Sequence, residues 1–75
     1  MSGIGVGHRF GRVVRVRREE LRWSQEVLAE RAQLNRSYLG EVERGDAVPS
    51  LATMDKLAVA LEVRLSALLE RCEQP

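Results

Sequence analysis

Apolar residues recur along this chain at helical spacing and nowhere with a period of two. Phe10, Val13, Val14 and Leu21 make a first, partial stripe. Leu28, Ala29 and Ala32 make a second, and Leu39 and Val42 a third. Leu51, Met54, Leu57, Ala58 and Leu61 follow, then Leu65, Leu68 and Leu69. Spacings of three and four belong to amphipathic helices, and the lack of alternation argues against a sheet. The pattern predicts an all-α domain of five helices.

Local signals set the boundaries. Ser24 and Asn35 precede the second and third helices, where a short side-chain oxygen can accept from a free N–H of the first turn. Gly45 follows the third, where a left-handed cap residue is expected. Pro49 and Ser50 open the fourth. The helices therefore read as about Phe10–Arg22, Gln25–Ala32, Arg36–Arg44, Pro49–Leu61 and Leu65–Arg71. Arg17 interrupts the first stripe. Residues 1–9 are glycine-rich and read as a flexible arm. Residues 10–72 form the domain.

The two middle helices are too short to be stable alone. Joined by a brief turn between caps, they need to cross each other and pack on neighbours, as in a helix-turn-helix at about 24–43. Ala29 lets the crossing be close, Leu34 plugs the turn, and Leu39 and Val42 anchor the third helix. At 100° per residue, Arg36, Gly40, Arg44, Ser37 and Glu41 spread over about 140° of that helix, with Leu39 and Val42 on the other side. A polar arc of this kind fits the major groove, where base edges offer donors and acceptors.

With 75 residues and 8.5 kDa, one small domain is expected, without room for a ligand-sensing domain. Its apolar runs are too short for a membrane span, and no secretion signal opens it. The net charge of +1 hides an asymmetry. Residues 1–38 hold eight Arg against four Glu, whereas residues 39–75 hold four basic against seven acidic residues. The first half thus suits a polyanion. Cys72 is the single cysteine, expected as a free thiol in a reducing cytoplasm rather than a link between subunits. His8 is the single histidine. With Cys72 near the other end, no metal set is expected, and no cofactor or catalytic grouping either. Glu19-Glu20 reads as surface charge, and Trp23 as a plug beside the second helix.

The stretches Trp23-Ser-Gln-Glu-Val-Leu-Ala-Glu-Arg-Ala32, Leu34-Asn-Arg-Ser-Tyr-Leu-Gly-Glu-Val-Glu-Arg-Gly45 and Pro49-Ser-Leu51 resemble Cro/C1-type (XRE) helix-turn-helix regulators. Phe10-Gly11 and Asn35-Arg-Ser-Tyr-Leu39 are similar to controller proteins of restriction–modification systems. The resemblance implies a five-helix domain that binds double-stranded DNA as a homodimer, without membrane or small-molecule effector. It implies base-facing roles for Asn35, Arg36, Ser37 and Glu41. It implies phosphate contacts from Gln25, Tyr38 and Arg44, to which the cluster of Arg9, Arg12, Arg15, Arg17 and Arg18 in the first helix adds Arg17. It also implies an ion pair between Arg18 and Glu43. Leu65, Leu68 and Leu69, joined by Val59, are the expected dimer surface. Gln33 stands where the family usually has glycine, so a positive φ is expected at a non-glycine residue. Arg64 replaces the usual Ser or Thr cap of the last helix. An antitoxin that binds a toxin is the competing reading.

Overall fold

The computed structural model describes residues 5–74. Among them are five helices and no strand: α1 Val6–Glu20, α2 Gln25–Ala32, α3 Arg36–Arg44, α4 Leu51–Ala60 and α5 Leu65–Glu73. The expected all-α architecture is present. α1 lies against α3 and α5, α2 against α3 and α4, and α4 against α5. Phe10, Val14, Leu28, Leu39, Leu57, Leu61 and Leu68 are wholly buried between them.

The start of α1 corrects the sequence reading. The helix begins at Val6, about a turn before Phe10, so residues 6–9 of the expected arm are helical. Gly5 of that arm is the N-cap of α1, and residues 1–4 lie outside the described residues. Glycine suggested looseness here, but two of the glycines mark close packing. A Cβ on Gly7 would strike the Val48 side chain, and one on Gly11 would strike the Val42 carbonyl. α1 comes this near to α3 at Gly11, and to the segment after α3 at Gly7, because these positions carry no side chain. Leu51 is also corrected: it opens α4 but is 67% exposed, outside the core.

The caps act as expected. Ser24 Oγ accepts from the Val27 N–H at 3.2 Å, and Ser50 Oγ from the Thr53 N–H at 3.2 Å. Arg64 gives α5 no side-chain cap. The helix ends share a device that composition concealed. After α1, α2, α3 and α4 the chain turns through one left-handed residue, respectively Arg22, Gln33, Gly45 and Glu62. In each turn the following N–H reaches back to a carbonyl five residues earlier: Trp23 to Arg18, Leu34 to Ala29, Asp46 to Glu41, Val63 to Ala58. That is the Schellman closure, usually built on glycine. Here only α3 has the glycine.

Candidate nucleic-acid interface

α3 is held at both ends and along one side. Asn35 Oδ1 accepts from the N–H groups of Ser37, at 2.8 Å, and Tyr38, at 3.3 Å. Leu39 and Val42 sink into the core, and Tyr38 packs partly against it. Asn35, Arg36, Ser37, Glu41 and Arg44 remain exposed on the other side. The structure thus brings the expected base-facing residues onto one solvent-facing arc. Gly40 lies among them, beneath the side chains of Gln25 and Arg44. Arg44 Nε donates to Asp46 Oδ2 at 3.0 Å, so Asp46 steadies it.

Beneath this arc sits a buried ionic cluster. Arg18 Nε donates to Glu43 Oε2 at 2.8 Å and its terminal nitrogen to Oε1 at 3.0 Å. The expected pair is therefore present, and bidentate. Its side chains are 12% and 3% exposed. A further Arg18 nitrogen donates to the Trp23 carbonyl at 2.8 Å. The hydrogen bond from Arg18 to Glu43 holds the guanidinium pKa above its ordinary value, against the effect of burial. Gln25 Nε2 donates to the same Glu43 Oε1 at 3.0 Å. The acceptor-only carboxylate fixes the orientation of the Gln25 amide. One amide N–H is left at the start of α2, where an anion is favoured.

The basic cluster of α1 divides in two. His8, Arg12, Arg15 and Arg18 line an open cleft with Gln25, Glu43, Arg44 and Asp46. Arg17 does not join them, which corrects its assignment as a phosphate contact. Its Nε donates to the Leu61 carbonyl at 3.1 Å, and its head pairs with Glu20 at 3.5 Å. It faces the end of α4 because two residues of helix rotate a side chain by about 200°. The same spacing held a signal for the residues that were missed. His8, Arg12 and Arg15 follow at steps of four and three, the spacing of one helix face. Trp23 lies partly buried against the core, with the Arg31 guanidinium 4.4 Å from its ring centre. That is a plug with a cation–π cover.

On α5 the three leucines separate. Leu68 is 1% exposed and belongs to the core of this chain, so it is corrected out of the expected partner surface. One inward stripe on so short a helix takes Leu68 and Cys72, which leaves Leu65 and Leu69 partly buried at its edge. On α4, Val59 is 69% exposed. Cys72 is free and buried, and burial pushes its thiol pKa up, which disfavours the reactive thiolate. Among the described residues, no group of three or more His, Cys, Asp or Glu is placed to hold a metal ion. No helix there is long and apolar enough to cross a membrane.

Known proteins resemble this chain in sequence and in fold. A helix-turn-helix family model matches residues 14–68. The immunity repressor protein of Bacillus phage phi105 is 41% identical over 59 residues, which span 79% of this chain and 41% of the repressor. The chain thus covers about two fifths of that protein's length. Control protein C.BamHI of Bacillus amyloliquefaciens is 38% identical over 71 residues, 87% of this chain and 88% of that one. Among solved structures, the restriction-modification controller protein C.AhdI of Aeromonas hydrophila superposes with a TM-score of 0.79 at 43% identity. That match covers 81% of this chain and 92% of C.AhdI. With its capped α2–α3 pair and polar α3 arc, the chain belongs to the helix-turn-helix family, in its Cro/C1 (XRE) branch of DNA-binding transcription regulators.

Proposed function

We propose that this chain binds a (pseudo)palindromic operator as a homodimer, with α3 in the major groove. The observation that carries the reading is the exposed arc of Asn35, Arg36, Ser37, Glu41 and Arg44 on a helix fixed at both ends and locked by Arg18–Glu43. Arg36, at the front of α3, is the reader of a guanine through N7 and O6. Glu41 accepts from cytosine N4. Asn35 has its oxygen committed to the cap, so its free amide N–H groups do the donating. Gln25, Tyr38 and Arg44 hold the sugar–phosphate backbone and set the register.

Selection of bound duplexes from a random DNA pool tests this. The natural chain is expected to return a two-fold symmetric consensus. Arg36→Ala should relax one or two base pairs in each half, worth about 1–3 kcal/mol of discrimination. Gln25→Ala should weaken every sequence alike. An unchanged consensus with Arg36→Ala would remove α3 as the reader of the operator.

A further inference from the structure

Beyond α2 and α3, α1 presents a second basic edge to the same side. His8, Arg12 and Arg15 stand in one row along it, and Arg44 faces them across the cleft. The acids of the cleft are already engaged. Glu19 pairs with Arg15 at 3.3 Å, and Asp46 with Arg44 at 3.0 Å. Glu43 is held by Arg18 and Gln25. Among the described residues, neither Arg12 nor His8 pairs with a carboxylate. His8 lies against the end of α3. Its ring and backbone lie so close to Gly45 that a Cβ there would strike them. An open cleft with the unpaired Arg12 beside His8 on one wall, next to an exposed helix-turn-helix arc, has the charge and position for a strand of phosphates.

We propose that His8 and Arg12 form a second phosphate-binding edge, and that DNA binding by this chain thereby takes up a proton at His8. The proposal rests on DNA binding through α3 and extends the contact to α1. Arg12 supplies a permanent charge and a fork of donors for a phosphate oxygen. Imidazole is the side chain whose charge changes between about pH 8 and 5. The charged groups that line the cleft with His8 are Arg12, Arg15 and Glu19 on its own helix, Arg44 and Asp46 at the end of α3, and the deeper Arg18–Glu43 pair. Arginines and carboxylates keep their charge across that pH range. A phosphate brought to the cleft is therefore the added anion that favours the protonated ring. Affinity for DNA rises as pH falls.

The test uses a duplex recovered from the random pool and fluorescence anisotropy over a salt series at pH 6 and pH 8. The natural chain, R12Q, H8Q and H8K are compared, each first shown by thermal melting to be folded. The natural chain is expected to bind about two- to fivefold more tightly at pH 6, the size of one exposed charge pair. H8Q should lose that response. H8K, a permanent cation, should bind tightly at both pH values, which a merely structural histidine would not produce. R12Q should lower the slope of log affinity against log salt by about 0.9 for each bound subunit, with the preferred sequence unchanged. An H8Q chain that keeps the natural pH response, or an R12Q chain that keeps the natural salt slope, overturns the proposal while leaving base reading by α3 intact. A natural chain that binds no DNA at any salt overturns both.

Discussion

Arg18 of α1 grips Glu43 of α3 through two hydrogen bonds, and the same guanidinium holds the Trp23 carbonyl at the entry to α2. One side chain thus fixes α1, the start of α2 and α3 against each other. The planar fork of arginine matches a carboxylate in a way that lysine does not. Arg18→Met leaves a buried carboxylate with only Gln25 as partner, and should cost about 3–5 kcal/mol in urea unfolding. Arg18→Lys should fall between the two. Adding Glu43→Leu to Arg18→Met should recover much of the loss, because a buried pair is often replaceable by apolar packing. A loss below about 1 kcal/mol for Arg18→Met would show that the pair is incidental.

Arg17 makes the opposite case within the same helix. Its guanidinium satisfies the carbonyl of Leu61, where α4 ends, and stands away from the basic cleft. Arg17→Ala is expected to destabilise the fold by about 1–2 kcal/mol, the range of a hydrogen bond from a charged donor that is partly open to water. It should leave the salt slope of DNA binding unchanged. A slope lowered by about 0.9 for each bound subunit would return Arg17 to the phosphate contacts.

The difference between Arg17 and Arg18 also marks how far sequence alone could go. Ser24, Asn35, Ser50 and Gly45 carry local chemistry that dictates a boundary wherever they occur, so α2, α3 and the turn between them were legible. The Arg18–Glu43 pair was legible through family resemblance. Gly7 and Gly11 were not, because glycine in a helix signals weakness until the neighbour that needs the space is known. Val48 and Val42 are those neighbours, and both are remote in sequence. The basic row was hidden for another reason. Five arginines crowd positions 9–18, and only the rotation of α1 decides which of them share a face. Phe10 and Val14 fix that rotation by burial. The separation of Leu68 from Leu65 and Leu69 likewise depends on how α5 docks.

Gln33 offers a gain in stability. It holds φ 57° and ψ 45°, a left-handed conformation that closes α2. A side chain there costs about 1–2 kcal/mol. Glycine removes that cost but gains freedom in the unfolded chain worth about 0.5–1 kcal/mol. Gln33→Gly should therefore stabilise by about 0.5–1 kcal/mol, raising Tm by about 2–8 °C in a domain of this size. Gln33→Ala keeps the strain and should give no such rise. Thermal unfolding by circular dichroism checks both, and equal melting of the two variants would place the strain elsewhere.

The proposed homodimer yields the last prediction. A single short recognition helix reads only a few base pairs, whereas two copies about a two-fold axis read half-sites about 34–36 Å apart. The surface proposed for the contact is Val59 with Leu65 and Leu69. A two-fold interface sets the same patch of both copies face to face, so each substitution acts twice. Covering one valine contributes up to about 1.5 kcal/mol, and a charge in its place adds the cost of removing it from water. Val59 is 69% exposed in the single chain, so Val59→Lys should leave the fold intact. Light scattering at micromolar concentration should show dimers of the natural chain and monomers of this variant. Affinity for a duplex with both half-sites should fall, while binding to a single half-site should hold. A natural chain that is monomeric both alone and on the two-site duplex would remove the dimer, and with it the symmetric operator.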